Sequence, residues 1–321
     1  MLKAMSLRVL VTRRLSIDPR SVLGQDLELD LHDEESVLPR AQLLERVRTA
    51  HGLMATLAET VDRELLENAP LLRVVANHAV GTDNIDLAEC TRRGIQVTNT
   101  PEVLTESTAD LAFALLLAVS RRLREGERLL REGGFQGWAP TLLLGKELRG
   151  ATLGVHGLGR IGQAVARRAV GFGLRLIHHS RSPVPGFTQV SFAELLTQSD
   201  FISIHCPLTP QTQHDYSTAQ FEAMKPGAIL INTARGPIVD EAALVAALES
   251  GRLGGAGLDV FEREPLVHPG LLGRDDVVLL PHLGSATEET RAQMARLALG
   301  ELARVLRGER PLHPVNQPVP V

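Results

Sequence analysis

Three polar side chains in the second half of the sequence could act together in acid–base chemistry. Arg235 lies in NTARG after the apolar run AILI, Glu264 lies in FEREP after GLDV, and His282 lies in PHLGSAT after DVVLL. The apolar runs are typical of strands in a parallel sheet. Because the carboxyl ends of such strands meet at one edge of an open sheet, we expect the three side chains to converge there.

An arginine, a glutamate and a histidine are the set needed to move a hydride to or from a 2-keto acid. The arginine binds the substrate carboxylate and polarises the carbonyl. A histidine, with an unperturbed pKa of about 6.5, gives or takes the hydroxyl proton. A paired glutamate orients the ring and favours its protonated form, and a cofactor brings the hydride. Any one of the eleven histidines is more often structural than catalytic, but motif, position and partner favour His282.

The segment GLGRIG, from Gly157 to Gly162, is a candidate dinucleotide-binding loop. It follows the strand-like run TLGVH, opens a helix, and precedes a second strand-like run, LRLIHH. In such a loop Gly157 permits the tight turn, Gly159 lets the backbone approach a pyrophosphate, and Gly162 allows close packing of helix on strand. The glycines alone are a weak signal, since a purely structural turn can contain them; the flanking elements favour dinucleotide binding.

The stretch HHSRS, at the end of that second strand, bears on the choice of cofactor. An NAD site places an acidic residue near this point to bind the ribose 2′-hydroxyl, but here Ser180, Arg181 and Ser182 occur. A guanidinium and two hydroxyls suit a 2′-phosphate instead. We therefore predict that NADP(H) is preferred, with NAD(H) as a possible second cofactor. The alternative is that Arg181 is simply solvated at the tip of a loop.

Strand-like and helical segments alternate along most of the chain, which predicts an α/β fold with parallel sheets. Five short strand candidates precede residue 101, and six more follow Ala151. We predict two doubly wound domains: one of residues 1–101 and 288–321, and a Rossmann domain of residues 102–287 inserted into it. A single long helix is expected from about 104 to 131.

The composition argues against several functional classes. Of 321 residues, 44% are hydrophobic and 22% charged, and the net charge of -4 offers no footprint for nucleic acid or anionic membrane. The longest apolar run, Leu111–Val119, is about half the length of a membrane span. Cys90 and Cys206 have neither metal-binding nor redox spacing. A cytoplasmic protein without disulfides or a metal site is expected.

NTARG, GLDVFEREP and PHLGSAT, behind GLGRIG, resemble the D-isomer-specific 2-hydroxyacid dehydrogenase family. Over nearly the whole chain, VLVTRR, ANHAVGTDNID and SDFISIHCPLTPQT resemble it as well. The nearest pattern is that of the glyoxylate/hydroxypyruvate reductases, which share TRR near the start and a basic residue after the second strand. The resemblance implies a flavodoxin-like substrate domain built from both chain ends, and homodimers formed through the nucleotide domains.

The resemblance also implies roles for individual residues. Arg235, Glu264 and His282 would be the catalytic set, with Arg235 and His282 also touching the substrate. The backbone amides of Val80 and Gly81 would bind its carboxylate, and His78 and Leu57 would line that side. Besides the glycine loop and HHSRS, the cofactor contacts implied are Thr108, Arg160, Ile161, Pro207, Thr212, Thr233, Asp259 and Ser285. The segment 133–145 resembles a dimer arm, so that Trp138 would reach a neighbour's active site.

The favoured hypothesis is a reductase of glyoxylate, hydroxypyruvate or a similar small 2-keto acid that produces the D-2-hydroxy acid. A D-3-phosphoglycerate dehydrogenase or another D-2-hydroxyacid dehydrogenase is an alternative. The former often adds a regulatory C-terminal domain, which we do not expect here, although short forms exist. Formate dehydrogenases of the superfamily carry glutamine where this chain has Glu264. A non-enzymatic, dinucleotide-sensing protein of the corepressor type is the alternative from a different class.

Overall fold

The computed structural model describes residues 6–318, and the chain folds into two α/β units. Unit 1 ends at Leu104 and resumes at Ala286, while unit 2 is the continuous segment Thr105–Ser285. The domain limits expected from the sequence, 1–101 with 288–321 and 102–287, fall a few residues from these.

Unit 1 is built on a parallel sheet whose central strands are buried. Its strands are β1 (Leu7–Val11), β2 (Leu27–Leu31), β3 (Gly52–Ala55), β4 (Val74–Asn77) and β5 (Gln96–Thr98). All pairs are parallel, in the flavodoxin-like order β2-β1-β3-β4-β5. Its helices are α1 (Arg20–Leu23), α2 (Arg40–Arg46), α3 (Arg63–Glu67), α4 (Leu87–Arg92) and α11 (Glu288–Leu306). Every residue of β3 and β4 is buried, as in a parallel sheet covered on both faces.

Helix α11 completes the core of unit 1 from the far end of the sequence. Leu299 and Leu302 lie in one buried cluster with Val9 and Met54. A Cβ placed on Gly52 of β3 would come 2.7 Å from Cδ2 of Leu302. Helix and strand therefore approach each other as closely as glycine permits.

The segment after α11 is tied to the edge of the same sheet. Glu301, which is 1% exposed, accepts hydrogen bonds from the backbone amides of Leu312 and His313. Farther along, the side chain of Asn316 accepts a hydrogen bond from the amide of Val97 at 2.7 Å. The edge strand β5 is thereby covered by the tail of its own chain.

Unit 2 is built on a seven-stranded parallel sheet in Rossmann order. Its strands are β6 (Thr152–His156), β7 (Arg175–His179), β8 (Thr188–Gln189), β9 (Phe201–Ile204), β10 (Ala228–Asn232), β11 (Leu253–Leu258) and β12 (Val277–Leu279). The order is β12-β11-β10-β9-β6-β7-β8, and the two-residue β8 is an addition to the six strands expected. Its helices are α5 (Thr105–Ser120), α6 (Leu123–Arg131), α7 (Arg160–Gly171), α8 (Phe192–Gln198), α9 (Thr218–Ala223) and α10 (Glu241–Glu249). The expected class of two doubly wound parallel-sheet domains, with a Rossmann domain inserted into a flavodoxin-like one, is confirmed.

The single helix expected over 104–131 is wrong, because α5 and α6 are separated by a break. Arg122 adopts a left-handed conformation there, with φ of 53°. The carbonyl of Ser120 accepts a hydrogen bond from the amide of Lys146 at 2.8 Å. A later segment of the chain thus binds the end of α5, while α6 buries none of its residues. Within residues 6–318, no helix is long and apolar enough to cross a membrane.

Candidate active site

The glycine loop lies between β6 and α7, at the point in the unit 2 sheet where the strand order reverses. A Cβ on Gly157, whose φ is 94°, would come 2.5 Å from the amide nitrogen of Cys206. One on Gly162 would come 2.1 Å from the carbonyl oxygen of Gly157, while nothing lies within 4 Å of one on Gly159. Two glycines are therefore required by close packing, and the third borders open space at the start of α7, where a pyrophosphate would bind.

The turn formed by Ser180, Arg181 and Ser182, called the SRS turn below, follows β7. The Ser180 hydroxyl donates to the carbonyl of Ser182 at 2.8 Å, and Gln189 donates to the carbonyl of Ser180 at 2.7 Å. Arg181 and Ser182 are exposed, and within the described part of the chain the Arg181 guanidinium has no ion-pair partner. Ser180 thus orders the turn, and the Arg181 cation is left free to bind an anion.

Beneath these two loops lies a buried polar cluster. The Nδ1 atom of His156, at the end of β6, is 3.2 Å from the hydroxyl of Tyr216, which is fully buried. Burial, together with the nearby His179, lowers the pKa of His156 to about 4. Burial above all raises the pKa of Cys206 to about 12, so its thiol stays protonated. His156 is 5% exposed and Cys206 is 7% exposed, so both side chains belong to the interior of unit 2.

His282 and Glu264 form a hydrogen-bonded pair. The Nδ1 atom of His282 lies 3.0 Å from Oε2 of Glu264, and Oε1 of Glu264 accepts the amide of Phe261 at 3.1 Å. Burial raises the pKa of Glu264, but its bond to His282, the Phe261 amide and the charge of Arg235 outweigh this and lower it. The ionised carboxylate can only accept, so Nδ1 carries the proton and Nε2 is left to exchange one.

Asp259 holds the turn that presents His282. Its two carboxylate oxygens accept the amides of Leu283 and Gly284 at 2.6 and 2.8 Å, and its carbonyl accepts the amide of His282 at 2.9 Å. His282 itself has a left-handed φ of 56°. Thr108 of α5 borders the same turn, since a Cβ on Gly284 would come 3.3 Å from its side chain. Asp259 therefore orders the turn of residues 282–284, called the histidine turn below, in addition to the cofactor contact predicted for it.

Arg235 is positioned by a neighbour that the sequence motifs did not single out. The Asn232 side chain accepts the amide of Ala234 at 3.0 Å and donates to the carbonyl of Arg235 at 2.9 Å. A Cβ on Gly236 would lie 1.8 Å from the carbonyl carbon of Phe261, so the turns after β10 and β11 are pressed together. An asparagine at the end of a strand is itself a signal for such a turn.

Glu241, at the start of α10, was also not singled out. Its side chain is 6% exposed, and its two oxygens accept the amides of Glu262 and His268 at 2.8 and 3.2 Å. These amides flank Glu264 on either side. The carboxylate of Glu241 thus holds together the two ends of the loop that carries Glu264. Only its place in the first turn of a predicted helix could have suggested that it binds amides.

In unit 1, the predicted substrate residues lie on the loop after β4 and on the loop after β3. Within residues 6–318, the backbone amides of Val80 and Gly81 have no hydrogen-bond partner. Burial and the charge of Arg291 lower the pKa of His78 to about 4, so its ring is neutral near pH 7. The Nε2 atom of His78 is buried without a partner in the described residues. Leu57 is half-buried.

The remaining predicted cofactor residues lie at strand ends of unit 2. Thr212 donates its hydroxyl to the carbonyl of Pro207 at 2.7 Å, which orders the loop after β9. Thr233, after β10, has a buried hydroxyl with no partner in the described residues. Arg160 and Ile161 form the first turn of α7, and Ser285 follows the histidine turn. An orphaned hydroxyl and an open glycine fit a bound dinucleotide, whose polar groups would satisfy them.

Comparison with known proteins decides the family. The family description that matches residues 113–284 is "D-isomer specific 2-hydroxyacid dehydrogenase, NAD binding domain". A glyoxylate reductase of Thermococcus litoralis is 48% identical over 97% of each chain. The chain belongs to the D-isomer-specific 2-hydroxyacid dehydrogenase family.

Solved structures agree with this D-2-hydroxyacid dehydrogenase assignment. A protein of Thermus thermophilus superposes with a TM-score of 0.92 at 48% identity, covering 96% of this chain and 100% of that one. An NADPH-dependent glyoxylate/hydroxypyruvate reductase of Sinorhizobium meliloti, in complex with NADP and malonate, has a TM-score of 0.85 at 38% identity, covering 97% of each chain. The resemblance to glyoxylate reductases seen in the motifs is confirmed, and the cofactor of this dehydrogenase is a nicotinamide dinucleotide.

The segment expected to be a dimer arm lies on the surface of the dehydrogenase chain. Trp138 is 84% exposed and Leu144 is 65% exposed. Such large apolar side chains, when several are exposed together, are typical of interaction surfaces. A role for Trp138 in a neighbour's active site stays a prediction.

Proposed function

We propose that the protein reduces glyoxylate, hydroxypyruvate or a similarly small 2-keto acid to the D-2-hydroxy acid, with NADPH as the preferred donor. The observation that carries the proposal is the His282–Glu264 pair, whose geometry keeps Nε2 of the histidine free to transfer a proton. The several relatives named glyoxylate reductase support this choice of substrate. The overall change converts 2-keto acid, NADPH and a proton into D-2-hydroxy acid and NADP⁺.

Each residue has a defined part in this reaction. The bound nicotinamide supplies the hydride. His282, held at Nδ1 by Glu264, gives its Nε2 proton to the carbonyl oxygen as the alcohol forms. Arg235 of unit 2 binds the substrate carboxylate and so fixes the orientation of the carbonyl carbon. The amides of Val80 and Gly81 in unit 1 are the carboxylate donors that the family resemblance implies.

The preference for NADP(H) rests on the SRS turn. The exposed Arg181 guanidinium has no ion-pair partner among residues 6–318, and beside the Ser182 hydroxyl it offers charge-assisted hydrogen bonds to a 2′-phosphate. No side chain of the turn would repel that phosphate, since Ser180, Arg181 and Ser182 include no acid. NAD(H) lacks the phosphate and is the weaker ligand of this site.

We further propose a cytoplasmic homodimer formed through unit 2, with the segment 133–145 as its arm. Size-exclusion chromatography with light scattering tests the assembly, and a monomeric mass would contradict it. Trp138→Ala tests the reach of the arm. Unchanged hydroxypyruvate turnover by an intact Trp138→Ala dimer would remove this residue from the active site.

A matrix of substrates and cofactors tests the activity. Oxidation of NADPH and NADH is followed with glyoxylate, hydroxypyruvate, pyruvate, phosphohydroxypyruvate and bulkier 2-keto acids. We expect the highest kcat/KM for glyoxylate or hydroxypyruvate with NADPH. A clear preference for phosphohydroxypyruvate would indicate a phosphoglycerate dehydrogenase. Tight dinucleotide binding without turnover of any acid would indicate a sensing protein and overturn the proposal.

A further inference from the structure

The loop that carries Val80 and Gly81 is held in place by three successive carbonyls. The carbonyl of Ala79 accepts the amide of Thr100 at 2.9 Å, and that of Val80 accepts the Asn99 side chain at 2.8 Å. The carbonyl of Gly81 accepts the Asn77 side chain at 2.7 Å. All three bonds come from within unit 1.

Fixing a carbonyl also fixes the amide of the same peptide. The peptide unit is planar and trans, so its N–H points opposite to its C=O. The bonds to the carbonyls of Ala79, Val80 and Gly81 therefore turn the amides of Val80, Gly81 and Thr82 away from those donors. Within residues 6–318 these three amides have no hydrogen-bond partner. Successive backbone N–H groups of a turn form an anion-binding concavity when they face the same point.

The donor to Gly81 is itself held by a second asparagine. Asn77 is fully buried at the end of β4, and its side chain also donates to Oδ1 of Asn84 at 3.2 Å. Asn84 in turn donates to the carbonyls of Thr56 and Glu59, each at 3.0 Å. The pair Asn77 and Asn84 therefore connects the loop after β3, which contains Leu57, with the loop that carries the amides.

The loop after β3 provides a rigid support for this connection. Glu59 is 2% exposed, and its Oε2 accepts the amide of Thr56 at 2.7 Å and the hydroxyl of Thr12 at 2.9 Å. The guanidinium of Arg13 lies 3.7 Å from the same carboxylate. A buried carboxylate with several donors keeps its loop in one conformation, so the Asn84 amide has fixed acceptors.

We propose that Asn77 and Asn84 are positioning residues for the substrate carboxylate, acting through the Gly81–Thr82 peptide, and that the Thr82 amide is a third donor to that anion. The inference rests on the proposed function for the identity of the anion. Neither asparagine touches the substrate. Each acts by holding a carbonyl, so that the amides face the carboxylate before it arrives, and this preorganisation reduces the ordering cost of binding.

The experiment compares Asn77→Ala and Asn84→Ala with Asn316→Ala. Asn316 is a matched control, since its side-chain amide makes hydrogen bonds in unit 1 to Thr91, Ile95, Gln96 and Val97, as many as that of Asn84 and one more than that of Asn77. For each full-length variant one measures the melting temperature, kcat, KM for the keto acid and for NADPH, and binding of the non-reacting anion oxalate by calorimetry. We expect the two test variants to raise the keto-acid KM and the oxalate Kd by about 10-fold or more, with the NADPH KM within twofold. Asn316→Ala is expected to lower only the melting temperature.

The outcomes separate this inference from the proposed function. Unchanged keto-acid KM and oxalate Kd in a folded Asn77→Ala or Asn84→Ala protein would overturn the inference, as would an equal change in Asn316→Ala. The wild-type protein could turn over no keto acid while Asn77→Ala still weakens oxalate binding. That result would contradict the reductase proposal and support the anion site. If the Asn77 variant does not fold, Asn84→Ala decides alone, because Asn84 is only half-buried.

Discussion

The Nδ1 atom of His282 lies 3.0 Å from Oε2 of Glu264, and this contact determines which nitrogen of the ring can exchange a proton. The carboxylate accepts at Nδ1, so the exchangeable proton is the one on Nε2. Asp259 holds the backbone of the same turn through the amides of Leu283 and Gly284. Ring and backbone are therefore oriented independently, by two different carboxylates.

Removing the proton donor tests the proposed role of His282. For His282→Ala we expect kcat to fall by roughly 10²–10⁴, the usual contribution of a general acid, with the Kd for NADPH unchanged. Steady-state kinetics and a fluorescence titration of NADPH measure the two quantities. His32→Ala serves as the control, since it alters a histidine of unit 1 whose ring contacts the carbonyl of Ser36 at 3.2 Å. Wild-type turnover in His282→Ala would rule out this residue as the acid.

Arg181 is expected to determine the choice between the two cofactors. A charge-assisted hydrogen bond is worth roughly 1.5–3 kcal/mol, so Arg181→Ala should raise the Kd for NADPH by about 10- to 100-fold. The Kd for NADH should barely change, because NADH has no 2′-phosphate. Arg175→Ala is a matched control, since it removes an exposed arginine at the opposite end of the same strand. Equal losses for both cofactors would contradict the role of Arg181.

The contact between Gly236 and Phe261 predicts that even one methyl group disturbs the site. A Cβ at position 236 would lie 1.8 Å from the Phe261 carbonyl, so the turn bearing Arg235 must shift in Gly236→Ala. We expect kcat/KM to fall by roughly 10²-fold, the effect of a misplacement of about 1 Å. The free energy of unfolding should also fall, by about 1–3 kcal/mol.

Gly171→Ala controls for the change of residue type. Position 171 ends α7, and a Cβ added there would have nothing within 4 Å. This variant should keep wild-type kinetics and a free energy of unfolding within about 0.5 kcal/mol. If both alanine variants behave alike, the close approach of the two turns is not what the site requires.

The buried histidines predict a loss of stability in mild acid. The pKa values of His78 and His156 are each lowered from 6.5 to about 4, chiefly by burial. As the pH falls below 6.5 the unfolded chain binds protons that the folded protein does not, so the free energy of unfolding decreases down to about pH 4. For His156 the effect is on the order of 3 kcal/mol.

Two variants at the His156–Tyr216 contact separate titration from hydrogen bonding. His156→Gln keeps a polar partner for the Tyr216 hydroxyl but cannot ionise. Its free energy of unfolding should therefore fall less steeply than that of the wild type as the pH decreases. Tyr216→Phe should lower stability at every pH while keeping the slope. Urea unfolding at a series of pH values measures both curves. A His156→Gln curve parallel to that of the wild type would show that this ring does not titrate on unfolding.

The sequence allowed us to predict which polar residues follow the strands of the unit 2 sheet. Parallel strands bring their carboxyl ends to one edge, so Arg235, Glu264 and His282 could be grouped from motif and alternation alone. It did not find Asn77 or Glu241, because their roles depend on bonds to backbone groups of other loops. No periodicity marks such bonds.

The break between α5 and α6 is another feature that the sequence pattern did not predict. The apolar pattern of residues 104–131 is compatible with continuous helix. In the structure α5 ends at Ser120, whose carbonyl accepts the amide of Lys146, and Arg122 adopts a left-handed conformation. The helix propensity of the residues predicts that a helix forms, but contacts with other parts of the fold determine the residue at which it ends. The short strand β8 was missed for a related reason, since two residues are too few to show alternation.

The close packing of Gly52 against Leu302 has a consequence for biosynthesis. The residues of unit 2 form one uninterrupted stretch, whereas the core of unit 1 needs both the first strands and α11. A ribosome releases the whole inserted unit before the helix that covers β3. One apolar face of the early strands therefore remains uncovered until nearly the entire chain has been synthesised.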